Sequence, residues 1–257
     1  MGNYNDFEKG APTLIHNEGP QDWLFYDDFN DLNMSASGAS ASGLDKWSHL
    51  STDSGNTALL SGSQGGGVLA MAYSTPTDED VISIIGNSGI IPGTNLVTGQ
   101  VALRFGCRFQ LADVSHNDLH IGLSIFDHSM AASAPADWVG FRCLASEGLG
   151  ELNLVASKDS VVQMVDPVTT LADATWCRAF FEWTPITGNA DSGNLAYVVH
   201  TNGSRVTGNL TVANCFPDDV WIAPLIAVQI EGTDGDTALF DWIYAHGIRA
   251  AYTDGTG

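Results

Sequence analysis

The chain has 257 residues, 44% of them hydrophobic, which is ample for a sizeable core in one large or two small all-β domains. Thirty acidic residues stand against nine basic ones, a formal net charge of −21 at a pI near 4.2. A surface of that sign repels phosphate and anionic headgroups, so neither nucleic acid nor a membrane is an expected partner, and the excess of carboxylates suits a saline setting.

In chain order, residues 1–22 read as an extended N-terminal arm, polar and interrupted by Pro12, Gly19 and Pro20. Its start, MGNYNDFEKG, lacks the basic and then apolar stretches of a secretory signal, so synthesis in a cytoplasm is expected. No apolar run approaches the roughly 18 residues of a membrane span. Residues 23–257 read as one β-sandwich domain, with small-residue loops at 33–43 (NMSASGASASG) and 61–67 (SGSQGGG). Strands are predicted at 24–29, 67–73, 81–85, 98–111, 118–127, 138–145, 151–156, 160–166, 175–184, 194–201, 221–230 and 237–246, with no helical period over three turns. A dozen strands without intervening helices predict an all-β, two-sheet antiparallel sandwich.

Alternation within the strands assigns faces. In VALRFGCRFQ the core set is Val101, Leu103, Phe105, Cys107 and Phe109, and Arg104, Arg108 and Gln110 point outward. Leu119, Ile121, Leu123 and Ile125 oppose Asp118, His120, Gly122 and Ser124. Val139, Phe141 and Cys143 oppose Trp138, Gly140 and Arg142, and Cys177, Ala179, Phe181 and Trp183 oppose Trp176, Arg178, Phe180 and Glu182. In the closing strand the same parity puts Phe240, Trp242 and Tyr244 on one face and Leu239, Asp241 and Ile243 on the other.

Four of the six arginines thus stand on outward strand faces. One expectation is a shallow groove in which Arg104, Arg108, His120, Arg142, Trp176, Arg178 and Glu182 meet a carbohydrate or another anionic partner. The other is that each arginine pairs with a neighbouring carboxylate through its planar fork, an ordinary cross-strand device.

Sites with chemistry are scarce. Cys107, Cys143, Cys177 and Cys215 are spaced singly, mostly in apolar strand contexts, and read as small buried hydrophobes. GxSxG, P-loop, dinucleotide and HExxH motifs are missing, and Glu147 and Glu151 flank a Gly-Leu-Gly turn. No cofactor is expected. Asp234 and Asp236 are weak calcium candidates, because Asp-Gly-Asp between strands is first a hairpin turn. Asp241 reads as a rim residue and an arginine partner.

LFYDDFNDLN followed by Trp47, the pair RFGCRFQL and LHIGLSIFD, then CRAFFEW and TALFDWIYAHG carry a resemblance to the concanavalin A-like, laminin-G-like jelly-roll domains over about residues 22–248. The resemblance implies a jelly roll whose first and last strands pair. It spans lectins, glucanases and virion proteins, so it does not fix function. The ExDxxE cluster of the sandwich glucanases is missing, so an enzyme is not expected. With an acidic, β-rich chain and no leader, the resemblance points to a structural protein of a tailed bacteriophage. The expectation is a capsid decoration or cement protein on the virion exterior, bound to the major capsid protein and neighbouring subunits, and itself an oligomer such as a trimer. The alternatives are a tail-fibre or receptor-binding lectin domain that binds a glycan, and a sandwich hydrolase that would depend on Glu182.

Overall fold

The computed structural model describes residues 22–29, 47–51, 57–60, 67–73, 80–92, 102–125, 136–186, 189–230 and 237–248. The arm over 1–21 and the calcium candidates Asp234 and Asp236 lie outside the described residues.

Among the described residues, fifteen strands form two antiparallel sheets: β1 (Asp22–Asp27), β2 (Trp47–Ser51), β3 (Thr57–Leu60), β4 (Leu69–Ala72), β5 (Val81–Gly86), β6 (Leu103–Leu111), β7 (Asn117–Ser124), β8 (Trp138–Cys143), β9 (Glu151–Lys158), β10 (Val161–Thr170), β11 (Cys177–Ile186), β12 (Asn189–Thr201), β13 (Ser204–Val212), β14 (Ala223–Ile230) and β15 (Thr237–Ile248). The first sheet runs β13-β12-β11-β6-β15-β4-β3 with β1 also on β15, and the second runs β10-β9-β8-β7-β14-β5-β2. The predicted all-β sandwich is therefore the fold. The first and last strands pair, Asp22 with Ile248 through Asp27 with Ile243.

Three strands escape the sequence reading: β2, β3 and β13. The first two are five and four residues long, too short to show a period. The third, SRVTGNLTV, is an edge strand whose side chains are mostly exposed, so burial leaves little trace in it. Its hairpin with β12 turns on Asn202 and Gly203, with φ of 46° and 76°, the left-handed pair that a two-residue primed turn requires.

Parity holds in β6, β7, β8 and β11 and fails in β15. A bulge lies between Phe240, opposite Phe109, and Trp242, opposite Arg108. The extra residue, Asp241, shifts the alternation by one. Phe240 is in the core; beyond the bulge Ile243 and Ala245 point inward, and Trp242 and Tyr244 turn outward onto Phe180 in a separate cluster. The expectation of Phe240, Trp242 and Tyr244 on one face is corrected accordingly. The bulge sits where the neighbour of β15 changes from β4, ending at Phe240, to β1, beginning at Ile243.

The core between the sheets is aromatic. Trp183 stacks on Phe216 with centroids 3.9 Å apart and planes 2° from parallel. Phe181 joins the layers, stacked on Phe105 of its own sheet and tilted against Phe141 of the other. The DDF opening ties the layers at one end, because Asp27 Oδ2 accepts the indole N–H of Trp47 at 2.7 Å and Oδ1 accepts the amide of Phe29 at 2.7 Å. Trp47 then packs edge-on to Phe25 and against Phe29.

All four cysteines are free and buried. Burial pushes every thiol up, Cys143 to about 12, with Cys107, Cys177 and Cys215 also raised. Thiolate is the reactive form, so native protein at neutral pH is expected to be silent toward an aromatic disulfide reagent, and all four thiols should react after unfolding. Rapid labelling of any cysteine in the native state would contradict this packing.

Candidate functional site

The outer face of the first sheet is built in cross-strand rows. In antiparallel pairing, residues directly opposite each other point to the same side. Arg108 on β6 faces Arg178 on β11, Arg178 faces His200 on β12, and His200 faces Arg205 on β13. Four neighbouring strands thus place a basic row across a strongly acidic protein.

Around that row lies a hollow of about 510 Å³, lined by Arg108, Trp176, Arg178, His200, Asn202 and Asp241, with the β12–β13 turn as one wall. This is within the few-hundred to thousand Å³ range of small-molecule sites. The guanidinium of Arg108 lies 4.1 Å from the ring centroid of Trp176 and donates to Asp241. The bulge in β15 accounts for that bond, because the residue left out of the ladder aims its carboxylate across the face. The arginine is therefore held from two directions, by a ring and by a carboxylate.

Farther along the same face, Arg104 Nε donates to Glu182 Oε1 at 3.0 Å, a directly opposed cross-strand pair. Arg142, on the other sheet, forks onto Glu147, and Lys158 meets Asp191, Asp218 and Asp219. Arg178, among the described residues, has no carboxylate partner.

The seven binding-face candidates consequently divide. Arg104, Arg108, Trp176, Arg178 and Glu182 share the outer face of the first sheet, and three of them, Arg108, Trp176 and Arg178, line the hollow. His120 and Arg142 oppose each other on β7 and β8 in the second sheet, on the far side of the sandwich. That face is itself buried, with Trp138, Ile85, Val155, Ala223, Leu225 and Ala227 clustered on it. His120 lies edge-on to Trp138, and burial, with Arg142 beside it, holds its imidazole down to about 3, so it is neutral at physiological pH.

His200, Asn202 and Asp241 complete the hollow. His200 and Asn202 were not singled out from sequence, although Thr-Asn-Gly-Ser at 201–204 is a hairpin signal that would have folded a further strand onto β12 and set Arg205 opposite His200. Among the described residues no group of three or more His, Cys, Asp or Glu could hold a metal ion.

No family model and no curated protein matches this chain. Solved structures do. A protein of unknown function from Shewanella oneidensis MR-1 superposes with a TM-score of 0.61 at 16% identity, over 98% of this chain and 96% of that one. Winged bean acidic lectin, complexed with methyl-α-D-galactose, gives 0.59 at 9% identity over 88% and 98%. A non-specific endo-β-1,3(4)-glucanase gives 0.54 at 13% identity over 90% and 93%. At these identities the likeness shows the fold alone, which is the concanavalin A-like sandwich of lectins and glucanases.

Proposed function

We propose that the protein is a lectin-like carbohydrate-binding sandwich and that the hollow on its first sheet is the binding site. The observation that carries this reading is the combination of Trp176 with Arg108, Arg178, His200, Asn202 and Asp241 around one open hollow. An indole offers a flat apolar surface to the C–H face of a sugar, and the charged and amide groups beside it offer hydrogen bonds to hydroxyls. The fold's lectin neighbours support the reading. Binding without cleavage fits the face best, because the two carboxylates beside its arginines are engaged by them, Glu182 by Arg104 and Asp241 by Arg108. Glycoside hydrolysis needs two carboxyl groups working across a substrate.

The test is retention on a panel of immobilised saccharides. At least one saccharide should retain the wild type, and Trp176→Ala should weaken that retention roughly tenfold or more with an unchanged melting temperature. A wild type that ignores every saccharide overturns the reading.

A second reading, a virion decoration protein bound to a capsid lattice as an oligomer on the particle exterior, is favoured by the edge strand β10. It exposes Val161, Val162 and Met164 in one stretch. Apolar edge strands are costly to leave open and suit a docking partner. Saturable co-sedimentation with empty phage heads, weakened by Val162→Glu together with Met164→Glu, is its expected signature.

A further inference from the structure

We infer that the ligand of the hollow is an acidic saccharide whose carboxylate or sulfate group is held between Arg178 and Arg108; this rests on the carbohydrate reading above and names the class of sugar. The chain has 30 acidic residues and nine basic ones, so a carboxylate neighbour is the default for any arginine. Arg104, Arg108, Arg142 and Lys158 all have one. Arg178 stands instead directly between Arg108 and His200, half-buried, with no carboxylate among the described residues.

Like charges placed opposite each other across strands destabilise a sheet. This register therefore adds a repulsion that Asp241 offsets only on the Arg108 side, and an anion bridging the two guanidinium groups would remove it. Arg108 can share such an anion. Its fork carries five N–H donors, Asp241 takes the NH1 side, and Trp176 packs against the guanidinium plane, so its position is set before a ligand arrives. Asp241 balances the charge of Arg108, and the uncompensated positive charge of the hollow resides on Arg178. The overall charge of −21 works against an anion, so the preference has to come from the local positive field of this row.

Isothermal titration with matched probes tests this. One pair is an oligogalacturonate and its fully methyl-esterified twin; the other is a sulfated galactan oligosaccharide and its desulfated twin. The expected result is that an acidic probe binds roughly tenfold or more tightly than its neutral twin, that added salt weakens it, and that Arg178→Gln abolishes the preference. The pair that responds identifies carboxylate or sulfate as the group bound. Arg178→Gln should melt no lower than wild type, because it removes one of two like charges at directly opposed positions and breaks no ion pair among the described residues, so lost binding would not report misfolding. Equal affinity for acidic and neutral twins, or acid binding unchanged in Arg178→Gln, overturns the inference and leaves the carbohydrate reading standing. Failure of all four probes, together with a silent saccharide panel, overturns both.

Discussion

Trp183→Ala should cost about 3–5 kcal/mol of folding stability, the range for emptying a fully buried aromatic site. Trp183 is completely buried on the inner face of β11 and lies flat on Phe216, which follows β13, so its loss opens a void between an element of the first sheet and the segment crossing toward β14. The surroundings cannot collapse inward easily. Gly193 on β12 already lies so close to the indole that an added Cβ would meet its Cη2 at 2.8 Å, which fixes backbone against ring. The indole N–H of Trp183 has no hydrogen-bond partner among the described residues. Trp183→Phe should therefore be mild, below about 1.5 kcal/mol, because it retains the stack and removes an unsatisfied buried donor. Urea unfolding of the two variants decides the matter. A midpoint for the alanine variant close to that of wild type would show that the stack contributes little.

The second large effect is on the opposite face. Arg142 is nearly buried, with Nε 3.0 Å from Glu147 Oε2 and its NH2 group on Oε1, and the same carboxylate also accepts the Asn153 amide at 2.8 Å. Removing only the arginine leaves a partly buried carboxylate with one neutral donor, so Arg142→Ala should cost about 3–5 kcal/mol. The double variant Arg142→Met with Glu147→Leu should recover most of that loss, since no charge is then left to desolvate. If the single and double variants are equally unstable, packing rather than charge explains the effect. His120, opposite Arg142, supplies a second readout. Burial first and Arg142 second depress its folded-state value from 6.5 to about 3. Above pH 6.5 both folded and unfolded chains carry a neutral imidazole. Between 6.5 and about 3 only the unfolded chain takes the proton, so this group lowers stability by roughly 1.4 kcal/mol per pH unit as the solution is acidified. In Arg142→Ala the His120 value should rise, though not to 6.5, because burial remains; imidazole NMR titration measures it.

The class of fold was legible because alternation is a local property. LRFGCRFQ, NDLHIGLSIF and WCRAFFEW each declare a buried and an opposite face without reference to any other strand, and the sandwich places those faces as read; Val101 lies outside the described residues. The same is true of the arginines, whose outward parity in β6, β8 and β11 is what the register shows. The strands that were missed are the short or exposed ones, in which burial writes no period.

Which residues meet was not legible, because pairing in space depends on sheet order and register. Sequence alone placed His120 and Arg142 with Arg104, Arg108, Trp176, Arg178 and Glu182; the order of strands separates β7 and β8 from β6 and β11 by the thickness of the sandwich. One inserted residue, Asp241, reversed the faces of all that follows it in β15 and gave Arg108 its carboxylate, and no local pattern marks where a ladder will bulge. By itself, the sequence determined the sheet-forming segments, their apolar faces and the acidic surface, all consequences of side-chain chemistry repeated along the strand. Only the tertiary structure decided that Arg178 lies between Arg108 and His200 beside Trp176, because that neighbourhood is assembled by hydrogen bonds between strands distant in the chain.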